Sequence, residues 1–496
     1  MEGGEGKDFN QPDYVYVSRA LHQIRRAYAD CYTSLSVFIF VQSQFSLSSF
    51  YPPMTHLGSL LLKVLPSKCQ FELLHLQSPP AEISPLVTTA SPTTSAGGKD
   101  SSLTVKTQHF FALCNDKKVV YGLEVHVYIT FDKGVSSNDD NVEHLLFVSK
   151  ADTNGYSTDK FSTRLVTLTL LEYLLSIDPN YYLIRVIPLK RRYKICNGTV
   201  QKQMITRNTS PEKALRILSS RFNSGECCRP LKTDELDEFY LNLKCSERCT
   251  TKLCMFTRPA DQYLFPRSSE NPKKHILGGV QLLKWWVSIL DELLIEKFED
   301  GSEAKLRIPG EAAVTVKRFL HDTKYPGWTV GDIFNGEENG RSLAVFNIPL
   351  FPDDPKSRFL HQLVEDNRIM KVTLDDFWME LQCRQEFKLS VVVSVVGIQG
   401  HLKFPSSKWI PSEDEVVRTN SIKQFHQLKS YIVGEDYDKV DGALEAFTNI
   451  SYILGSRMGS RLLSICGSRE FIKNTRDENG PVQTVSVLKP RKKPKK

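Results

Sequence analysis

The sequence lacks the signatures of most familiar enzymes. It holds no GxxxxGK(S/T) loop, no strand-borne GxGxxG, no GxSxG elbow and no HExxH helix. These absences set aside P-loop phosphate chemistry, Rossmann dinucleotide binding, the α/β-hydrolase serine and the zincin centre. The 11 cysteines in 496 residues are odd in number and lack ligand spacing. Cys227 and Cys228 are adjacent, while Cys245, Cys249 and Cys254 are unevenly spaced. A zinc site needs more regular pairs or histidines nearby, so no metal is expected. Free thiols suit a cytosolic or nuclear chain. The most apolar early run, Val37 to Val41, is far short of the roughly 20 residues that cross a bilayer, and no cleavable signal peptide is expected. There is no internal repeat. A net charge of +7 is modest for this length, so nucleic acid is not demanded as a partner.

What is present fits a globular chain, with 41% apolar and 24% charged residues. The length allows one large core or two to four domains. Strand-like and helix-like segments interleave without an obvious linker from about Phe71 to Cys466, which predicts one α/β domain. Residues 1–53 do not join it. They run through a Ser/Phe-rich patch to Tyr51-Pro52-Pro53, and read as a loose extension or as a stretch upstream of a natural start at Met54, the latter being preferred. The domain is placed at 54–472, with a flexible Pro/Ser/Thr/Gly loop at 78–103 and a basic excursion at 190–228. A disordered tail at 473–496 ends in Lys489-Pro490-Arg491-Lys492-Lys493-Pro494-Lys495-Lys496.

Within the domain, β-rich runs predict strands at 71–76, 103–113, 118–131, 145–149, 181–188, 239–244, 252–257, 305–308 and 387–396. Asn115-Asp116 marks a hairpin turn. Apolar periodicity predicts helices at 160–176, 211–222, 280–298, 311–321, 374–385, 421–433 and 437–462. The helix at 280–298 is the most hydrophobic of these. Its adjacent Trp285 and Trp286 point about 100° apart, so one can fill the core while the other lines a cavity, or both can be core.

The stretch 343–362, LAVFNIPLFPDDPKSRFLHQ, concentrates chemistry. An apolar strand-like run stops at Pro352. Asp353 and Asp354 follow on a stiff link set by Pro352 and Pro355, with Lys356 and Arg358 close behind. A plain helix start also fits, with Asp354 as cap and Pro355 in the first turn. Asp152 stands just past the end of the strand at 145–149, where α/β proteins gather functional groups. It fits an Asx turn equally well.

Longer motifs then carry a resemblance. SKADTNGY (149–156), LSIDPNYYL (175–183), CMFTRPADQYLFP (254–266), NPKKHIL (271–277), the Trp285-Trp286 pair, KLRIPGE (305–311), NIPLFPDDPKSRF (347–359), RQEFKLSV (384–391), EAFTNI (445–450) and LKPRKKPK (488–495) resemble the fungal histone acetyltransferases of the regulator-of-Ty-transposition family. The likeness runs from Met54 to the C-terminus and omits residues 1–53. It implies a single large α/β domain, a central mixed sheet surrounded by helices, similar to the CBP-type acetyltransferase fold. It also implies acetyl transfer from acetyl-CoA to lysines of newly made histone H-three, in support of nucleosome assembly and genome stability.

The resemblance further implies residue roles. Asp152 becomes a positioning or proton-handling group, Trp286 a wall of the lysine tunnel, and Asp353 and Asp354 holders of the substrate end. Lys356 matches an autoacetylated lysine, and Phe256, Tyr263, Lys274 and His275 become the acetyl-CoA contacts. His275 fits a surface histidine as well. Histone H-three/H-four, presented by chaperones of the nucleosome-assembly and anti-silencing types, would be the partners, and the nucleus the location. A positively charged enzyme should bind a bare basic histone poorly, so an acidic carrier is expected, docked through 190–228 or the basic tail. A non-catalytic chromatin scaffold recruiting the same chaperones is the alternative.

Overall fold

The computed structural model describes residues 55–87, 102–132, 142–189, 193–195, 209–223, 228–245, 249–334, 340–384, 392–403 and 409–470. Residues 1–53 and the tail 473–496 lie outside them, as does most of the basic run between 190 and 208.

A long mixed sheet forms the centre. In chain order its strands are β1 (Gln70–Gln77), β2 (Ala81–Ile83), β3 (Ser102–Asn115), β4 (Lys118–Asp132) and β5 (Val142–Thr153). A separate two-stranded ribbon pairs β6 (Tyr193–Ile195) with β7 (Cys228–Pro230). The main sheet continues with β8 (Thr250–Thr257), β9 (Glu303–Arg307), β10 (Trp328–Val330), β11 (Ser394–Gly400), β12 (Val417–Arg418) and β13 (Leu463–Cys466). The spatial order is β10-β9-β11-β8-β5-β4-β3-β1-β12, with β13 on β1 and β2 on β3. The pairs β5–β8, β9–β10 and β1–β12 are parallel and the others antiparallel.

The β3–β4 hairpin turns one residue later than Asn115-Asp116 suggests. Asp116 and Lys117 both take positive φ, 51° and 57°, the twist a two-residue hairpin turn needs. Ten helices accompany these strands among the described residues and carry the argument below: α1 (His56–Leu62), α2 (Thr163–Ser176), α3 (Pro211–Asn223), α4 (Thr233–Leu241), α5 (Gly279–Lys297), α6 (Ala313–Lys317), α7 (Pro355–Glu365), α8 (Leu374–Gln382), α9 (Ile422–Val433) and α10 (Val440–Ile453).

Strand alternation sorts side chains to two faces. Leu146 and Val148 of β5, with Leu253 and Met255 of β8, meet Leu171 and Leu174 of α2 and Ile289, Leu290 and Leu293 of α5 in the main core. On the other face, Leu74, Phe110 and Ala112 pack on Phe425, Leu428, Ala446 and Ile450 of α9 and α10. Beside them, Leu145, Phe147 and Cys254 cover Phe351. Phe359, Leu363, Phe377 and Trp378 of α7 and α8 form a fourth cluster. Among the described residues no helix is long and apolar enough to cross a membrane.

Several local expectations are corrected. Residues 181–188 are not a strand: Asp178 accepts the Asn180 N–H and Pro179 opens a 3-10 turn over Pro179–Leu183. Residues 239–244 are the end of α4 and its exit turn, because the Glu235 carboxylate takes the Lys232 N–H and starts a helix there. Among the described residues the apolar run before Pro352 makes only an isolated bridge, Leu343 to Thr373, and then forms a 3-10 turn at Ala344–Phe346. The loop at 78–103 contributes the short strand β2 against β3, while 88–101 lie outside the described residues.

Candidate active site

A cleft of about 300 Å³ opens where β5 and β8 end side by side. Phe147 to Ala151 of β5 form one wall, and Met255 to Arg258 of and after β8 another. Leu282 and Trp286 of α5 close a third side, and Tyr263 and the Pro352–Pro355 link with Arg358 close the rest. A larger cavity, about 710 Å³, lies at the opposite ends of the same strands, near Glu143 and Lys252. It contains none of the residues singled out from the sequence.

A β-bulge decides what β5 presents. Val125 of β4 pairs with Val148 and the neighbouring Glu124 with Lys150, so Ser149 is an extra residue. A bulge re-aims the side chains beyond it. Before it, Leu146 and Val148 face the α2–α5 core; after it, Ala151 does. Lys150 and Asp152 are thereby turned to the other face, toward Asp353 and the Tyr263 loop.

Asp152 is not past the strand but within its last two residues, paired with Gly122. Its carboxylate is fully engaged. One oxygen accepts the Thr153 N–H at 2.8 Å and meets the Lys274 ammonium at 2.9 Å. The other accepts the N–H groups of Tyr263 and Leu264 at 2.7 and 3.0 Å. Asp152 therefore latches the loop that delivers Tyr263 to the cleft, and it does not line the cleft itself. Lys274, an acetyl-CoA contact by the resemblance, is buried in this ion pair and also donates to Ser268 Oγ at 2.8 Å. His275 is exposed and away from the cleft lining.

Trp286 is buried, lines the cleft and stacks edge-on against Trp285 at 4.7 Å. Phe256 and Tyr263 join it on the lining. The Tyr263 hydroxyl donates to the Arg258 carbonyl, and burial pushes its phenol up to about 12, so it stays neutral.

The double aspartate splits into two roles. Asp353 adopts positive φ, 57°, and its largely exposed carboxylate, 68% open, pairs with Lys150 at 2.8 Å. That hydrogen-bonded ammonium holds the Asp353 carboxyl below its ordinary value. Asp354 is buried and caps α7, accepting the Lys356 N–H at 2.9 Å with Pro355 in the first turn. Burial pushes its carboxyl above the usual range, against the pull of Lys356. Lys356 is buried behind the link and is absent from the cleft lining, with its ammonium 3.5 Å from Asp354. For that amine, burial acts downward, but Asp354 and Asp332 outweigh it and hold it as an ammonium.

The cleft thus gathers Trp286, Phe256, Tyr263, Asp353 and Asp354, and leaves Asp152, Lys274, His275 and Lys356 off its surface. It adds Lys150, Arg258, Leu282 and Arg358, which the sequence reading did not select. Lys150 and Arg258 sit at the carboxyl ends of parallel neighbours, a position that favours ligand contacts in α/β sheets.

The sequence matches the family described as the histone acetyltransferase KAT11-type domain over residues 57–452. The chain belongs to this family. It is 32% identical over 390 residues to histone acetyltransferase RTT109 of Candida albicans, covering 75% of this chain and 94% of that protein. It is 25% identical over 409 residues to histone acetyltransferase rtt109 of Aspergillus flavus, spanning 71% of this chain and 58% of that one. The crystal structure of Rtt109 from Aspergillus fumigatus superposes with a TM-score of 0.55 at 19% identity, over 84% of this chain and 100% of that one. That likeness carries the fold, a single mixed α/β domain with helices around the sheet. As a member of the KAT11-type family the chain is an acetyl-CoA-dependent histone lysine acetyltransferase.

Proposed function

We propose that acetyl transfer takes place in the cleft between Trp286 and Asp354, with lysines of newly made histone H-three as acceptors. The supporting observation is that an aromatic wall and the Pro352–Pro355 link, with the open Asp353 carboxylate, converge on one cleft of about 300 Å³ at the ends of two parallel strands. Such a volume is at the lower end for ligand pockets. It suits the acetyl end of the thioester together with a lysine side chain, the rest of the cofactor lying along the surface.

A free lysine has a pKa of about 10.4 and must lose its proton before it attacks. Enclosure by Trp286, Phe256 and Leu282 disfavours the ammonium. The Asp353 carboxylate, open on the lining, is placed to orient the incoming amine, while Asp354 is buried behind it against Lys356 and caps α7. Among the described residues the lining contains no cysteine, which favours direct attack. The nitrogen forms its bond to the acetyl carbon, the carbon–sulfur bond breaks, and the thiolate of coenzyme A leaves. Arg258 and Arg358, with Lys150, supply positive charge for its phosphates. Asp152 and Lys274 keep the Tyr263 loop in place. Autoacetylation of Lys356 belongs to the same reading, and it requires the buried ammonium to give up its proton as the Pro352–Arg358 wall moves.

The histone reaches this cleft on chaperones of the nucleosome-assembly and anti-silencing types, within the nucleus. The basic run at 190–228 and the basic tail, with a net charge of +7 for the chain, support an acidic carrier. Mass spectrometry of histone H-three/H-four incubated with acetyl-CoA and the full chain, with and without a chaperone, tests the reading. Chaperone-stimulated acetylation that Trp286→Ala abolishes supports it. Acetylation that Trp286→Ala leaves intact would remove the cleft from the mechanism.

A further inference from the structure

The larger cavity, at the far ends of β5 and β8, takes no part in the chemistry of the cleft. At about 710 Å³ it is as large as a built ligand pocket. Leu86, Val87, Phe334, Phe346 and Pro349 give it an apolar floor. Its charged lining is one-sided, with Glu143, Glu299, Asp300 and Glu303 set against Lys252. The Lys252 ammonium is already engaged, 2.6 Å from Glu143 and 5.1 Å over the Phe334 ring. Glu303 is paired with Lys305 at 3.1 Å. Glu299 and Asp300 have no ion-pair partner among the described residues. They stand on the turn between α5 and β9, where Gly301 takes φ +90° and the Ser302 N–H donates to the Glu299 carbonyl at 3.3 Å. The turn thus holds two unanswered carboxylates at the rim of an apolar floor.

One segment walls both cavities. Phe346, Asn347 and Pro349 line the groove, and Pro352, Asp353 and Arg358 line the cleft. Between them Phe351 stacks on Phe147 of β5 at 4.2 Å. From Glu143 to Lys150 along β5, and from Lys252 to Arg258 along β8, the separation is about 20 Å, which about six residues of extended peptide cover. The chain as a whole carries a net charge of +7, so a basic polypeptide is repelled by most of its surface and attracted here. The acceptor of a histone acetyltransferase is such a polypeptide. The same carboxylates disfavour an acidic carrier or a phosphate.

We propose that this groove is a second docking site for the histone, receiving a basic stretch about six or more extended residues away from the lysine in the cleft. This rests on the cleft being the transfer site. The groove holds substrate without touching the reacting atoms, so it should act on KM for the histone and leave kcat and KM for acetyl-CoA alone.

The test is steady-state acetylation by the full-length enzyme of two histone H-three peptides, with about three and about twelve residues on each side of the same lysine, only the longer reaching the groove. Wild-type enzyme should show a lower KM for the longer peptide. The double variant Glu299→Lys with Asp300→Lys should raise that KM about tenfold and leave the shorter peptide unaffected. Glu299→Gln with Asp300→Asn should give a smaller rise, and it carries the test if the lysine variant does not fold. An unchanged KM for the longer peptide, or an equal rise for both, would overturn the proposal. So would a lower KM for chaperone-bound histone H-three/H-four in the lysine variant, which would assign the groove to the acidic carrier. Leu282→Trp, which fills the cleft, separates the two readings. If it leaves turnover of both peptides intact, the transfer-site reading fails; if it abolishes turnover while the charge variants match wild type, the groove alone is refuted.

Discussion

The Lys274 ammonium stands 2.9 Å from the Asp152 carboxylate, and both side chains are buried. Three backbone N–H groups complete the shell of that carboxylate, from Thr153, Tyr263 and Leu264. A carboxylate with four donors is a structural anchor, and its removal leaves a buried ammonium without its charge partner. Asp152→Asn should cost about 3–5 kcal/mol, while Asp152→Asn combined with Lys274→Met should cost less than Asp152→Asn alone. Denaturant unfolding of both variants checks this. A double variant less stable than the single one would count against the latch.

Gly155 supports the same latch from below. Its φ is +81°, and a Cβ there would lie 2.6 Å from the Lys274 backbone nitrogen and 2.8 Å from the Asn271 side chain. Gly155→Ala should cost more than the roughly 1–2 kcal/mol of a left-handed backbone alone, and it should raise KM for acetyl-CoA by displacing the Tyr263 loop. Unchanged Tm and KM would refute this reading.

The exposed Lys150–Asp353 pair behaves differently. At this exposure an ion pair contributes at most about 1 kcal/mol. The Asp353 carboxyl is held below its ordinary value, so the contribution is present above the unfolded-state value and is lost as pH falls through the folded one. Asp353→Asn should leave Tm nearly unchanged at neutral pH and still lower kcat, because Asp353 lines the cleft. A large loss of Tm with normal kcat would reverse these assignments.

Acid should unfold the protein through its buried histidines. Burial pulls His75 down to about 3 and His144 to about 4, and His109 also falls well below its ordinary value. These residues are neutral in the fold and charge when unfolded. Stability is therefore complete above about pH 6.5, and each removes about 1.4 kcal/mol per pH unit as pH falls from there toward its folded value. Both ring nitrogens of His144 lack hydrogen-bond partners among the described residues. His144→Phe should flatten the fall in unfolding free energy between pH 6.5 and 5, measured by urea titration. An unchanged slope would assign the acid sensitivity elsewhere.

Much of this architecture was legible where local chemistry and tertiary context agree. The Leu, Ile and Trp periodicity placed α5 but left open which tryptophan, if either, lines a cavity; only the resemblance singled out Trp286. Asp354 caps α7 with Pro355 in its first turn, as a plain helix start requires, while the left-handed Asp353 beside it turns to the cleft. Where the reading failed, partners distant in sequence decided. The apolar run before Pro352 has strand composition but, among the described residues, pairs only through the Leu343–Thr373 bridge, and its end packs over Phe147, with Phe351 stacked on that ring at 4.2 Å. Asp152 looked like an exposed loop carboxylate because neither the extra residue Ser149 nor the return of Lys274 is written near it. Lys274 was an acetyl-CoA contact by the resemblance alone, and its pairing with Asp152 is a long-range contact that no local motif records.

The most direct test of the account is steady-state acetylation of histone H-three/H-four by folded Leu282→Trp enzyme. Leu282 lies on the cleft lining beside Trp286, and a larger ring there blocks the site without removing any charged group. The account predicts an unaltered melting temperature and a loss of kcat/KM of at least about a hundredfold, as expected when reacting groups are displaced by an ångström or more. Wild-type turnover in that variant would place acetyl transfer outside this cleft.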